Sequence, residues 1–375
     1  MRSVKTLCLF SVFALLFSLA AESVPPHECT SWMIFPDMTG ENTVILHKSR
    51  DSQSRNVKVR LGNDGAKRNW IGMGGDKGYC MAVNSSGLAG VMNGGEKCTD
   101  NSTNKNGKGT PLILEAIIST CDTSAQAVDK LIDFLKKEDY QHGDKGSIFF
   151  FADPKEGYLV ECTAHFWQVQ KCNTGYVARA NIWHLPGLEK YALTDYYTHT
   201  VESAREYAVR KALNEAFTAR GKVDVMDILA LSRKVDTDNL FIRRSLCCSW
   251  TNSASTFVVD RDYPEVLTTA YLLVGCPRHT VLLPLPICIK ELPEEMATVK
   301  LSSASYKRMN KDGVRADVPA EWLKFEEKSI AAYKKDLAAA KELMKKGKKS
   351  EAVKLLNDSF SKIWKEAKEL PGLLK

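Results

Sequence analysis

The sequence predicts a layered α+β fold, and three observations carry that expectation. Short runs rich in β-branched and aromatic residues recur in groups, segments of helical period lie between the groups, and strand signals cease after about residue 300. The first group opens at Cys29 with CTSWMIF, turns through PDMTGEN and returns as TVILHKS. Strands are predicted at 80–84 (CMAVN) and 88–92 (LAGVM), then at 147–152, 158–163, 166–171 and 176–181. The last four follow one another across turns such as DPKEG and CNTG, the spacing of an antiparallel meander. Strands at 255–260 (STFVVD) and 267–275 (LTTAYLLVG) close the set.

Residues 111–137 hold two helical segments. Thr123 or Ser124 is placed to cap the second, whose Val128, Leu131, Ile132 and Leu135 share one face. Residues 200–217 and 225–235 are also helical by pattern. Residues 320–346 and 350–369 each read as a helix, separated by Lys346-Gly347-Lys348, with Pro371-Gly372 ending the second. Trp322, Phe325, Ile330, Tyr333, Leu337, Leu343, Val353, Leu356, Phe360 and Ile363 form an apolar stripe along this pair. It is expected to pack as a hairpin on the main domain or on a partner, its lysine-rich face solvated.

Composition narrows the function. The 375 residues are 44% apolar and 26% charged, which excludes a disordered chain, a collagen-like fibre and a coiled-coil rod. The formal charge of +7 would suggest nucleic acid, but its distribution does not. Residues 321–375 hold 14 Lys against 9 acidic residues, and residues 1–21 hold two basic groups and no acid. The main body is therefore balanced, without the basic surplus expected of a nucleic-acid enzyme. Arg2 and Lys5, the apolar run Leu7 to Leu19 and the small pair Ala20-Ala21 form the pattern of a cleaved export signal. The expected destination is a periplasm, the extracellular space or a secretory compartment, lysosomal or luminal if the host is eukaryotic. No later run reaches the 18 or so apolar residues of a membrane span. The expected organisation is a signal at 1–21, a short propeptide at 22–28, a main domain at 29–300, a linker at 301–319 and the helical hairpin at 320–375.

Ten cysteines follow the signal: Cys29, Cys80, Cys98, Cys121, Cys162, Cys172, Cys247, Cys248, Cys276 and Cys288. An oxidising compartment permits pairing, and the sequence does not say which would pair. There is no C-x-x-C and no zinc-finger spacing, so no metal site is expected. Cys29, alone, reads as a disulfide half or a buried small residue. The residues that follow it change the reading. Cys29-Thr30-Ser31 leads through Gly40-Glu41-Asn42 to Leu46-His47-Lys48-Ser49-Arg50-Asp51. Val83-Asn84-Ser85-Ser86-Gly87-Leu88 leads to Asn93. Tyr158-Leu159-Val160-Glu161 and Trp167 lead to Gly175-Tyr176-Val177-Ala178-Arg179-Ala180-Asn181, and Ser203-Ala204-Arg205 comes later, in a predicted helix.

In this order the four motifs resemble the N-terminal nucleophile (Ntn) cysteine amidohydrolases: choloylglycine hydrolases, penicillin V acylases, acyltransferases of 6-aminopenicillanate and dipeptidase A-like proteins. The resemblance spans roughly residues 29–285 and leaves out the helical tail. It implies a four-layer αββα sandwich of two mostly antiparallel sheets and a linear-amide hydrolase that needs no cofactor. Its substrate would be a small amide or a short peptide. Cys29, freed at its own nitrogen, would be the nucleophile. Asp51 would orient the α-amine, Asn181 would donate to the oxyanion with Asn93 beside it, and Arg205 would keep the site positive. The chemistry is coherent, because an α-amine of pKa about 7.7–8.0 can take a thiol proton without any histidine.

Lys48 stands where the bile-salt type carries Arg, and lysine lacks the bidentate fork, so a bile-acid or penicillin substrate is not implied. Asn84 reads as a hairpin-turn residue, Asn93-Gly94-Gly95 also fits a simple turn, and His47 is given no chemical role. An acyltransferase using the same thioester, an inactive Ntn-fold binding protein and an interaction protein with Cys29 bridged all remain open from the sequence, as does the oligomeric state.

Overall fold

The computed structural model describes residues 29–63, 68–102, 104–141, 143–235 and 246–375. The signal and propeptide expected at 1–28 lie outside the described residues. In chain order, β1 (Thr30–Ile34), the one-turn helix α1 (Pro36–Thr39) and β2 (Thr43–Asp51) precede β3 (Lys58–Asn63), β4 (Asn69–Gly75), β5 (Gly78–Asn84) and β6 (Ala89–Lys97). A short β7 (Lys108–Gly109) leads to α2 (Thr110–Ile118), α3 (Ser124–Lys136) and β8 (Tyr140–Gln141). The meander is β9 (Lys145–Ala152), β10 (Gly157–Cys162), β11 (Trp167–Cys172) and β12 (Tyr176–Arg179). Then come α4 (Tyr196–Arg220), α5 (Val225–Ser232), β13 (Thr251–Asp260), α6 (Pro264–Leu267), β14 (Thr269–Val274) and β15 (Leu283–Pro286). The chain ends in α7 (Glu294–Ala297), α8 (Lys300–Asp312), α9 (Ala320–Lys345) and α10 (Lys349–Lys368).

The strands form a six-stranded sheet, ordered β12-β1-β2-β13-β14-β15, and a seven-stranded sheet, ordered β11-β10-β9-β6-β5-β4-β3. Every pairing in both is antiparallel. Period-2 alternation fills three interfaces. Met33, Phe35, Leu46, Ile148 and Phe150 face the core between the sheets. Phe149 and Phe151 turn the other way, onto Ile113, Leu114, Ile117 and Leu131 of α2 and α3. Trp32, Ile34 and Ile45 turn onto Val209 and Leu213 of α4 and Ile228 of α5. Both sheets are thus covered on both faces, which is why GSIFFFA reads as a continuous apolar run. The architecture is α+β, a four-layer αββα sandwich. Thr123 caps α3 through its hydroxyl, which accepts the Gln126 N–H at 3.2 Å.

One expectation changes. Residues 301–319, expected as a linker, include α8, whose Leu301, Ala304, Tyr306 and Met309 are buried. The hairpin of α9 and α10 is continuous with the main core: Trp322, Tyr333, Leu356 and Phe360 join the inter-sheet cluster. A buried ion pair fixes it, with Arg233 donating from Nη1 and Nη2 to the two Glu326 carboxylate oxygens at 2.7 Å each. Glu326 Oε1 also accepts the Leu282 N–H. Among the described residues, no helix is long and apolar enough to cross a membrane.

Gly146, on β9, is a packing requirement. A Cβ there would overlap the Trp183 ring and the Cys162 carbonyl, neither of which is the end of a flexible chain. Gly146→Ala should therefore lower stability by about 1–3 kcal/mol, measured as an earlier urea midpoint. An unchanged midpoint would show that Trp183 does not sit where the structure puts it.

Candidate active site

The register of β1 on β2 builds the site. Thr30 pairs with Ser49 and Ser31 with Lys48, so one step further the ladder brings Cys29 opposite Arg50. A cleft of about 410 Å³ opens there at the end of the sandwich. Cys29, Lys48, Arg50, Asp51, Met92 and Lys145 are among its lining residues. Cys29 is 8% exposed and carries a free thiol, so it is not bridged among the described residues.

The backbone nitrogen of Cys29 donates to Asn181 Oδ1 at 2.6 Å, and Asn181 Nδ2 donates to the Gly94 carbonyl at 2.6 Å. A donor on one side and an acceptor on the other fix which way the amide points. Asn181 itself lies beyond the end of β12, not within a strand as expected, and carboxylates hold the segment around it. Glu206 Oε1 accepts the Ala180 N–H, Glu96 Oε2 accepts the Trp183 N–H, and Glu161 Oε2 accepts those of His184 and Leu185. Glu161 Oε1 is in turn paired with Arg179 Nε at 2.7 Å. An irregular buried loop otherwise leaves backbone donors unsatisfied, and these side chains supply the acceptors.

Asn93 lies inside β6, not in a turn, and its side chain is fully engaged. Oδ1 accepts from Lys48 Nζ at 2.8 Å and from the Ser31 hydroxyl at 2.7 Å, while Nδ2 donates to the carbonyls of Ala180 and Arg179 at 2.9 and 3.3 Å. Asn93 thus ties β1, β2 and β6 to the Asn181 loop. Asp51 is buried and accepts from Arg205 Nη2 at 2.9 Å and from the Thr251 hydroxyl at 2.6 Å. The Cys29 nitrogen is held by Asn181 and not by Asp51. All six expected residues, Cys29, Lys48, Asp51, Asn93, Asn181 and Arg205, meet at this end of the sandwich. Asn84 serves its hairpin, with Oδ1 accepting the Ser86 and Leu88 N–H groups. His47 faces the helix layer, stacked on Trp32 at 4.0 Å, and burial pushes its pKa well down, so it is neutral.

Sequence reasoning missed Glu202, one helical step from Arg205 on α4. Its Oε2 lies 3.3 Å from Arg205 Nη1, and its buried Oε1 has no hydrogen-bond partner among the described residues. Burial raises its pKa to about 7, against the pull of the Arg205 charge and with the push of Asp51. Burial likewise raises Asp51, opposed by Arg205. Burial disfavours the Arg205 cation, yet Glu202 and Asp51, followed by Cys248 and Cys29, outweigh it and hold its pKa above the ordinary value. The signal for Glu202 was its i,i+3 spacing from Arg205, legible only once α4 is known to press that face inward.

No family model matches this sequence. No curated protein matches it either. Among solved structures the chain is similar to a mutant of the conjugated bile acid hydrolase from Clostridium perfringens, at 11% identity and TM-score 0.44 over 77% of this chain and 94% of that one. It is similar to penicillin V acylase from Agrobacterium tumefaciens, at 14% identity and TM-score 0.44 over 71% and 89%. A third is the Caenorhabditis elegans ortholog of N-acylethanolamine-hydrolyzing acid amidase, at 12% identity and TM-score 0.44 over 63% and 97%.

The buried carboxylates give the site a pH signature. The folded chain holds the Glu202 proton up to about 7, whereas the unfolded chain releases it near 4.5, so this group's contribution to stability falls as pH rises between those values. Thermal unfolding followed from pH 4.5 to 7 should show a decline that Glu202→Gln reduces. Equal slopes in the two proteins would mean that Glu202 ionises normally.

Proposed function

We propose that this chain is an amidohydrolase that cleaves linear C–N amide bonds through a thioester on Cys29, with the freed α-amine of Cys29 as the base. One observation carries the reading. The nitrogen that would act as base is already held at 2.6 Å by Asn181, at the edge of a cleft that Cys29 lines. Removal of residues 1–28, and export through residues 1–21, belong to the same proposal.

In this reading the neutral amine takes the thiol proton as Sγ bonds to the amide carbon. The tetrahedral oxyanion is met by the second N–H of Asn181 Nδ2, whose first is spent on Gly94. The α-ammonium then passes its proton to the departing nitrogen as the C–N bond breaks, leaving the thioester. Water adds to that carbon and gives its proton to the amine. The S–C bond breaks, the acid leaves, and the thiol regains its proton. Arg205, charged throughout, keeps positive charge at this end of the sandwich. Lys48 and Asn93 act through position, holding β1 and the Asn181 loop in register.

The test is turnover of a panel of N-acyl amino acids, dipeptides, penicillin V and conjugated bile salts by the purified natural protein. Cys29→Ala should abolish turnover, and Asn181→Ala should slow it by roughly 10²–10³. Full activity in Cys29→Ala would remove the mechanism.

A further inference from the structure

Two further thiols meet in the interior, and neither lines the cleft. Cys247 lies beyond α5, and its backbone N–H donates to the Lys234 carbonyl at 2.9 Å. Cys276 follows β14, where Gly275, at φ +117°, turns the chain so close to α8 that a Cβ would strike the Ser305 side chain. Arg233 clamps the two segments together. Its Nε donates to the Pro277 carbonyl at 2.8 Å, and its own carbonyl accepts from Arg278 Nη1 at 3.1 Å. Cys247 and Cys276 therefore share one buried cluster with Tyr306 and Met309. Both are wholly buried free thiols, and Cys247 donates a hydrogen bond to the Cys276 sulfur. Other buried thiols are spent on oxygen: Cys98 on the Asp100 carbonyl at 3.3 Å and Cys121 on the Gln126 carbonyl at 3.6 Å.

A disulfide requires side chains that already point at one another, and thiols in hydrogen-bond contact on two clamped segments do. We propose that Cys247 and Cys276 are a disulfide-forming pair, oxidised by thiol–disulfide exchange with an external disulfide of the glutathione class. One cysteine thiolate attacks the external disulfide, forming a mixed disulfide and expelling one thiolate. The other cysteine thiolate then attacks its partner's sulfur, forms the S–S bond and expels the second. The protons lost by the cysteines end on the released thiols, and the electron pair passes from the protein to the external disulfide. Neither sulfur reaches solvent in the folded chain, so the exchange belongs to folding. The bond ties the segment from Cys247 to Thr251 to the end of β14. The Thr251 hydroxyl accepts the Cys248 N–H at 2.8 Å and donates to Asp51 at 2.6 Å, so the bond steadies the support of Asp51. The pair stands independently of the amidohydrolase reading.

The test is a peptide map of the protein recovered from its natural host. The chain is unfolded in guanidinium with N-ethylmaleimide and no reductant, digested, and read by mass with fragmentation. The peptide bearing Cys247 should be joined to the peptide bearing Cys276, lighter by one pair of hydrogens than the two apart. Maleimide on both Cys247 and Cys276 overturns the proposal and leaves them as packed thiols. A link to Cys276 through Cys248 overturns it as well. Stability gives a second readout. Closing a loop of roughly 30 residues should raise Tm by about 5 °C or more. Reductant should therefore lower the Tm of the natural protein by that much more than it lowers the Tm of Cys276→Ala. The cavity left by the substitution is present in both conditions and cancels in this comparison. Equal shifts in the two proteins overturn the proposal. Should Cys276→Ala fail to fold, the peptide map of the natural protein decides alone.

Discussion

The site depends on one hydrogen bond, from the backbone nitrogen of Cys29 to Asn181 Oδ1 at 2.6 Å. A backbone nitrogen at the start of the first strand is normally satisfied by its ladder. Here it is given to a side chain from just past the end of β12, the edge strand beside β1, 152 positions along the chain. Neither end of that bond is free to wander. Cys29 is set by the pairing of β1 with β2 and β12, and Asn181 by the carboxylates of Glu96, Glu161 and Glu206 on the backbone around it. Because the bond uses the main-chain nitrogen, the proposed liberated amine would keep it.

Behind this bond the structure buries charge at a cost. Arg205 meets two carboxylates, Asp51 and Glu202, where three ionised groups in apolar surroundings would each lose hydration worth several kcal/mol. The conflict is eased by protonation: two acids around one guanidinium leave a proton in place, and Glu202, with its unpartnered oxygen, is where burial pushes it. Arg205 is enclosed between helix and sheet, where solvent screens its charge least.

Much of the fold was legible because both sheets are buried on both faces, leaving long apolar runs such as STFVVD and GSIFFF. The strands β3 and β4 were not, since KVRLGN and NWIGMGG carry glycines that depress strand propensity. Those glycines are packing devices: a Cβ at Gly62 would enter the Trp70 ring, and one at Gly72 would crowd Tyr79. Helix α8 escaped because the small polar Ser302 and Ser305 interrupt its buried face of Leu301, Ala304, Tyr306 and Met309. At the site, the six expected residues do converge. Their hydrogen-bond partners were beyond reach of the sequence, because what Asn181 and Asp51 touch is decided by strand register and by a loop clamp. The sequence orders residue types; it does not say which of two polar groups reaches a nitrogen first.

In the proposed mechanism the nitrogen held by Asn181 ends as a free amine sharing a residue with the reactive thiol. Intact-mass and N-terminal sequence determination on the protein recovered from its natural host tests this most directly. The account requires a chain whose first residue is Cys29. A chain beginning near Glu22, with Cys29 still in peptide linkage, would contradict it.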